Sequence, residues 1–262
     1  MRSQLKHRLV AVATGDRYRM SQTSDMAEVR RVLASLKPVA TARPLIRIGP
    51  DRDGGYLVPD DLSGIVAALS PGISAEDGFD LALAERGIDV FMADASVHGP
   101  PRSHPRYHFH KVFLGAENHG PFQRIDSFAK AHLPANGDLI LQMDIEGSEW
   151  PVLLDASAEL MHRFRIIVIE LHQLDQVFHS FGLRILEAAF ARLARTHRIV
   201  HLHPNNAEHV AERNGVRVPK LIEMTLLRRD RGFQEGMTVS LPHPLDSDCI
   251  THRPGIVQPR WW

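Results

Sequence analysis

Carboxylate and histidine side chains follow three apolar stretches of this 262-residue chain, where each stretch ends. Asp144 comes directly after residues 139–143, Glu170 and His172 close the run 165–171, and His203 ends the run 199–203. Aspartate, glutamate and histidine are the side chains that serve as general acids and bases and that bind divalent cations. Three interpretations are therefore open: an acid/base set or substrate contact with Asp144, His172 and His203, a metal set with Asp144, Glu170 and His203, or a polar seam at the edge of a sheet.

The elements that must position these residues alternate between short apolar runs and amphipathic segments. Dense apolar runs of this kind indicate central strands of a parallel sheet, and amphipathic segments between them indicate helices. Ligands of such sheets bind outside the carboxyl ends of the strands. The predicted strands are residues 65–70, 90–93, 107–114, 139–143, 165–171, 199–203 and 221–227. The predicted helices are residues 26–36, 76–86, 122–133 and 174–195, the last with a break near Gly182.

Two glycine-containing turns could bring backbone close to a ligand. Gly72 follows the first predicted core strand, and Asp94 ends the next strand 22 positions later, which is the arrangement of a glycine turn and a ribose-binding acid in nucleoside sites. A purely structural turn explains Gly72 equally well. The segment Asp53-Gly54-Gly55 predicts a hairpin, which is either a surface turn or a loop that a ligand approaches.

Composition limits the function classes. Acidic and basic residues balance at 31 each, so no net charge points to a nucleic acid or an anionic membrane. The single cysteine, Cys249, excludes a disulfide framework, and no apolar run is long enough for a signal sequence or a membrane span. We therefore expect a cytoplasmic protein, with the oligomeric state left open. We predict three regions: a helical lead-in over 1–45, the main domain over 46–229 and a packed extension over 230–262.

Several of these stretches resemble one family. The segment LILQMDIEGSEWPVL is similar to the Asp-x-Glu-Gly-x-Glu motif of FkbM-like methyltransferases, and RIGPDRDGGYLVPD, RIDSF, IELHQLD and HLHPNN extend the resemblance over most of residues 44–229. The sequence departs from the family at Ser70-Pro71-Gly72, where an Asp and a Gly-Ala-Asn are common. The resemblance implies a class I methyltransferase fold, an α/β, Rossmann-like, seven-stranded and mostly parallel sheet whose last strand is antiparallel.

The resemblance also implies S-adenosylmethionine as cofactor and assigns residues to it. The implied contacts are Gly72, Ser74 and Asp77 for the methionine part, Asp94 for the ribose and Asp126 for the adenine side. Asp144 is expected at the junction of cofactor and substrate. No nucleic-acid partner is expected.

We expect an O-methyltransferase that acts on a hydroxyl of a sugar or of a polysaccharide or glycoconjugate precursor. A hydroxyl is a poor nucleophile at neutral pH, so His172 or His203 would act as general base, or Mg²⁺ or another divalent cation on Asp144, Glu170 and a histidine would bind the acceptor oxygen. The alternatives are a metal-dependent hydrolase that uses the same strand ends, and a non-catalytic domain of the same fold.

Overall fold

A computed structural model describes residues 22–73 and 75–262. Most of the predicted lead-in, residues 1–21, and the predicted cofactor residue Ser74 lie outside the described residues. The strands are β1 Ala40–Thr41, β2 Leu45–Ile48, β3 Tyr56–Pro59, β4 Ile65–Pro71, β5 Asp89–Ala93, β6 Tyr107–His110, β7 Phe113–Gly115, β8 Phe122–Arg124, β9 Asp138–Met143, β10 Phe164–Leu171, β11 His197–Pro204, β12 Val210–Arg213, β13 Val216–Pro219, β14 Ile222–Arg228 and β15 Phe233–Gln234. The helices are α1 Met26–Ala34, α2 Gly78–Glu85, α3 Ile125–His132, α4 Glu149–Asp155, α5 Ala158–Arg163 and α6 Ser180–Thr196, with a 3₁₀ helix over Leu174–Phe178.

Seven strands form the central sheet in the order β11-β14-β10-β9-β4-β5-β6. The strands β4, β5, β6, β9 and β10 are parallel, whereas β14 runs antiparallel to both β10 and β11. The predicted fold class is therefore confirmed, including the reversal of the last strand. The chain leaves β4 in one direction to β5 and returns on its other side at β9, so the crevice for a ligand opens at the carboxyl end of β4.

The alternation of side chains along the central strands divides the core between the two faces of the sheet. Leu139, Leu141 and Met143 of β9 pack in the cluster that contains α1, whereas Ile140 packs in the cluster on the opposite face. All eight residues of β10 are buried. Because both faces of these strands are covered, their sequences are mostly apolar, and Gln142 and Arg165 are polar residues within them before the carboxyl ends.

Three predicted elements differ from the structure. The third strand ends at His110, because residues 113–115 leave the main sheet and pair with β8. Because residues 122–124 form β8, the helix predicted over 122–133 begins only at Ile125. The long helix after β10 breaks at His179, whose backbone is extended, rather than at Gly182. A Cβ at Gly182 would lie 2.5 Å from the carbonyl oxygen of Gln176, so this glycine permits the fold-back.

The C-terminal segment packs along the chain at several points. Residues 210–219, for which the sequence predicted no strand or helix, form the hairpin β12–β13, and β15 pairs with β1. The Trp261 indole N–H donates to the carbonyl of Arg217 at 3.0 Å. The three predicted regions stay predictions. Within residues 22–73 and 75–262, no helix combines the length and the apolar character needed to span a membrane.

Candidate active site

Two adjoining cavities open at the carboxyl ends of the parallel strands. One, of about 430 Å³, contains Asp94 at the end of β5, and we call it the Asp94 cavity. The other, of about 340 Å³, contains Glu170 at the end of β10, and we call it the Glu170 cavity. Gly72, Asp144 and Glu146 line both cavities. A group bound in one cavity would therefore meet a group bound in the other at Asp144.

The Asp94 cavity combines one carboxylate with an apolar wall. Asp94 is 7% exposed and accepts hydrogen bonds from the backbone N–H groups of Ile73 at 2.9 Å and Ser96 at 2.7 Å. Phe113 and Phe122, from β7 and β8, form part of the apolar wall. A carboxylate beside aromatic side chains matches the two halves of a nucleoside, because the ribose hydroxyls donate to the acid and the base stacks on the wall.

Gly72 is required by its contact with the neighbouring strand. Its φ is +87°, and a Cβ there would lie 1.5 Å from the carbonyl oxygen of Asp144. Its own N–H donates to the carbonyl of Ala93 at 3.1 Å. The structural interpretation therefore accounts for this glycine, which allows the ends of β4 and β9 to approach closely between the two cavities.

The Glu170 cavity is strongly acidic. Eight of its lining residues are aspartate or glutamate, and His172 is the one lining residue among the described part of the chain that could carry a positive charge. Asp53 and Gly54 belong to this wall, so the turn of the β2–β3 hairpin lies at the cavity, as its ligand-loop interpretation requires. Tyr56, which the sequence did not single out, also lines it. Cys249 and Ile250 of the C-terminal segment close another side.

Glu149 positions the residues at the junction of the cavities, although no role was predicted for it from the sequence. The side chain is fully buried at the start of α4. Its Oε1 accepts from the N–H groups of Ile145 at 3.0 Å and Gly147 at 3.2 Å, and it lies 3.1 Å from Nδ1 of His172. These contacts place Nε2 of His172 3.4 Å from Glu146 Oε2 and 3.9 Å from Asp144 Oδ1. The third acid of the Asp-x-Glu-Gly-x-Glu motif is the sequence feature that could have identified Glu149.

The backbone around His172 is held in uncommon conformations. Glu146 and Gln173, neither of them glycine, both have φ of +58°. The indole N–H of Trp150 donates to the carbonyl of His172 at 2.9 Å, so adjacent residues of α4 fix both the ring and the backbone of this histidine. Left-handed conformations of non-glycine residues cost free energy and concentrate at functional sites.

The pKa values of Asp144 and His172 are both raised. Burial raises the pKa of Asp144 to about 7, and the charge of His172 opposes that rise. Burial acts to lower the pKa of His172, but the hydrogen bond with Glu149 and the negative charges around the ring outweigh it and raise the pKa above 6.5. A carboxyl group that titrates at about 7 beside a histidine of raised pKa suits proton transfer from an acceptor hydroxyl.

Burial also raises the pKa of Glu170 well above its usual range, and the charge of Asp144 raises it further. Oε1 of Glu170 accepts from the Nδ2 group of Asn205 at 3.3 Å, whereas its Oε2 is buried with no hydrogen-bond partner among the described residues. The Glu170 cavity therefore contains a buried acceptor atom that no described protein group satisfies.

His203 lies elsewhere than the sequence predicted. Its Nδ1 is 3.6 Å from Asp246 Oδ2, and His201 Nε2 is 2.8 Å from Asp246 Oδ1, so both histidines hold the C-terminal segment against β11. His203 is absent from the lining of both cavities. The structure therefore does not bring His203 together with Asp144, Glu170 and His172.

The other predicted cofactor residues are also engaged with the protein. Asp77 lines the Glu170 cavity and pairs with Arg102 at 2.8 Å. Asp126 lines neither cavity, and its Oδ2 accepts from the N–H of Ser157 at 2.8 Å. The cofactor roles of Asp77 and Asp126 stay predictions.

The possible metal ligands differ from the predicted set of Asp144, Glu170 and His203. Within the described residues they are Asp144, Glu149 and His172. Oε1 of Glu149 already takes part in three hydrogen bonds, so this arrangement is better explained as a relay that orients His172.

Residues 103–210 match the model of the Methyltransferase FkbM domain, which confirms the resemblance over that part of the chain. No curated protein matches the chain significantly. Among solved structures, an rRNA-methylase from Clostridium thermocellum, described as putative, is similar at 10% identity and a TM-score of 0.34, over 64% of this chain and 91% of that one. The 1,6-didemethyltoxoflavin-N1-methyltransferase from Burkholderia thailandensis, solved with S-adenosylhomocysteine, is similar at 15% identity and a TM-score of 0.32, over 87% of this chain and 86% of that one.

The strand order and the family match define the class of the protein. A sheet in the order β11-β14-β10-β9-β4-β5-β6, with β14 as the one reversed strand, is the class I methyltransferase sheet that the resemblance implied. The particular family that the chain resembles is that of the FkbM methyltransferases.

Proposed function

We propose that this protein transfers a methyl group from S-adenosylmethionine to a hydroxyl of a sugar or of a polysaccharide or glycoconjugate precursor. The observation that carries the proposal is the pair of cavities that meet at Asp144. A transferase must hold two molecules with the reacting atoms in line, and two cavities that share one wall provide that arrangement.

The Asp94 cavity fits the adenosyl part of the cofactor. Asp94 has the position of a ribose-binding acid at the end of the second core strand. Its Oδ1 accepts from the N–H and the hydroxyl of Ser96, whereas its Oδ2 accepts from the N–H of Ile73 and keeps acceptor capacity for a ligand. Phe122 is 41% exposed and lines this cavity, so its ring is available for a bound base to stack on. When bound, the cofactor supplies a methyl group on a positively charged sulfur, which is a strong electrophile.

The remaining residues act on the acceptor. His172, oriented through Nδ1 by Glu149, presents Nε2 toward Asp144 and Glu146 at the junction, where it would remove the proton of the acceptor hydroxyl. Asp144 would hold that hydroxyl in line with the methyl group. The family resemblance and the polar lining of the Glu170 cavity support a sugar acceptor, and the relay from Glu149 favours a base over a metal ion.

Binding of S-adenosylhomocysteine, measured by titration calorimetry with a chelator and then with Mg²⁺, tests the cofactor assignment. We expect Asp94→Asn to weaken binding about tenfold or more, because a charge-assisted hydrogen bond to the ribose is lost. Asp89→Asn is the matched control, since Asp89 begins the same strand at its opposite end and lines neither cavity. Phe122→Asp, a change at a partly exposed position, should weaken binding as well.

The assay of activity uses tritiated methyl donor and a panel of saccharide acceptors. We expect His172→Gln to abolish transfer while binding of S-adenosylhomocysteine persists. Absence of binding to the wild-type protein in both conditions would refute the proposal and favour a hydrolase or a non-catalytic domain.

A further inference from the structure

Six of the eight carboxylates that line the Glu170 cavity fall into two groups. One group is paired with cations of the protein: Glu76 with Arg52 at 2.9 Å, Asp77 with Arg102 at 2.8 Å and Glu208 with Lys220 at 3.7 Å. These pairs leave that part of the wall close to neutral. A surface acid with such a partner gives no reason to expect a charged ligand.

The second group consists of Asp53, which is exposed on the hairpin turn, and of Asp144 and Glu170, which are less exposed. All three line the cavity, and the negative charges of Asp53 and Asp144 both act on Glu170. Among the described lining residues there is neither a lysine nor an arginine, and His172, with Nε2 3.9 Å from Asp144 Oδ1, is the one that could carry a positive charge. When these three carboxyls ionise, the lining therefore offers no lysine or arginine to balance them.

A buried atom marks where a ligand would meet this charge. Glu170 is 6% exposed, and its Oε2 has no hydrogen-bond partner among the residues described. Asp80, 8% exposed and also part of the lining, has an unpartnered Oδ1. A buried acceptor without a donor costs about 1–3 kcal/mol, so a ligand that brings donors to these oxygens recovers that cost.

We propose that the acceptor carries a protonated primary amine and that Glu170 binds it, which makes an amino sugar or a similar aminated polyol the substrate class. This inference rests on the proposed methyl transfer. An ammonium group supplies three N–H donors and one positive charge, which meets both the unpartnered oxygen and the excess of acid. The hydroxyl to be methylated would then lie toward Asp144 and His172.

A metal ion is a weaker occupant for this group. The only three ligands that the described structure gathers within range of one ion include Glu149, whose Oε1 is already used by Ile145, Gly147 and His172. Glu170 is not among them.

The test compares two probes that differ only at nitrogen. A β-1,4-linked glucosamine tetramer and its fully N-acetylated counterpart are titrated into the protein saturated with S-adenosylhomocysteine, in the presence of a chelator. We expect the amine to bind about tenfold or more tightly than the acetamide. Glu170→Gln should reduce that preference to about twofold or less, whereas Glu212→Gln, which removes an exposed charge from β12, should leave it unchanged.

A second measurement determines how many protons the protein releases when the amine binds. Because burial raises the pKa of Glu170 and brings that of Asp144 to about 7, an ammonium group that binds beside them stabilises their charged forms. Titrations at pH 7 in buffers of different ionisation enthalpy should therefore show proton release with the amine, and Glu170→Gln should diminish it.

The outcomes separate this inference from the proposed function. Equal binding of the two probes, an amine preference that Glu170→Gln leaves intact, or tight binding of Mg²⁺ alone that excludes the amine would each overturn the amine assignment while the cofactor titration stands. If S-adenosylhomocysteine fails to bind, the methyltransferase proposal is refuted, and the amine preference is measured on the protein without it.

Discussion

The replacement Glu149→Gln tests whether Glu149 sets the protonation of His172. The change keeps the shape of the side chain and removes its charge. The hydrogen bond and the negative charge of Glu149 both raise the pKa of His172 against the opposing effect of burial. We therefore expect the pKa of His172 to fall in the variant. The limb of the pH–activity profile on which activity rises with pH should shift to lower pH with it.

The magnitude of the structural effect follows from the contacts of the carboxylate. Oε1 serves two backbone N–H groups and His172 at 3.0–3.2 Å, and Oε2 is buried without a partner among the described residues. An amide would weaken the charge-assisted bonds and place an unsatisfied N–H₂ group in the position of Oε2. Each of these two effects costs about 1–3 kcal/mol, so the free energy of unfolding should drop by about 2–6 kcal/mol.

The assay needs no acceptor. The ring resonances of His172, assigned by their loss in His172→Gln, are followed by NMR over pH, and urea unfolding gives the stability. Glu159→Gln is the control, because Glu159 also lies in the first turn of a helix, α5, but is exposed. The turnover of any acceptor found should fall about a hundredfold or more, since an unoriented base loses most of its contribution.

An unchanged or raised pKa of His172 in Glu149→Gln would contradict this account. So would a variant that retains full turnover, because Glu149 would then be a structural residue of the loop and not a positioning residue for the base.

Two further predictions concern the strand ends and the C-terminal segment. Gly72→Ala should lower the free energy of unfolding by about 3 kcal/mol or more, because the added Cβ would clash with the carbonyl of Asp144. Gly87→Ala, at φ +85° with open space around it, should cost only about 1–2 kcal/mol in urea unfolding. Equal losses in the two variants would show that the contact of Gly72 with Asp144 is unimportant. Asp246→Asn should expose residues 243–253 to limited proteolysis without changing the affinity for S-adenosylhomocysteine. Burial acts to raise the pKa of Asp246, but the contacts with His201 and His203 hold that pKa well below its usual range. This stabilisation is therefore present above about pH 4 and is lost as the pH falls toward the lowered pKa. Proteolysis that is independent of pH would refute that sign.

Much of the fold was predictable because the central strands are buried on both faces. Six of the seven predicted core strands correspond closely to β4, β5, β9, β10, β11 and β14, since a short, mostly apolar run between turn residues has few other interpretations. The third strand was predicted too long because residues 113–115 are apolar in either place. Whether they extend β6 or pair with β8 depends on a long-range contact that local sequence does not contain.

The site was predictable where a residue lies at a strand end. Asp94, Asp144, Glu170 and His172 all line a cavity at the predicted edge, because parallel strands bring their carboxyl ends together. The same argument failed for His203. It also follows a strand, but the C-terminal segment supplies Asp246 beside it, and no pattern in the sequence links residues that far apart.

The sequence by itself determined the class of the fold, the edge of the sheet at which the two cavities open and the motif from Asp144 to Glu149, because hydrophobic periodicity and local turn chemistry are properties of neighbouring residues. The tertiary structure alone decided which of the histidines faces the junction, which carboxylates lack a cation and which segment closes the Glu170 cavity. Those features depend on distances between residues far apart in the chain, such as Glu149 and His172 or Asn205 and Glu170, and such distances exist only once the sheet is assembled.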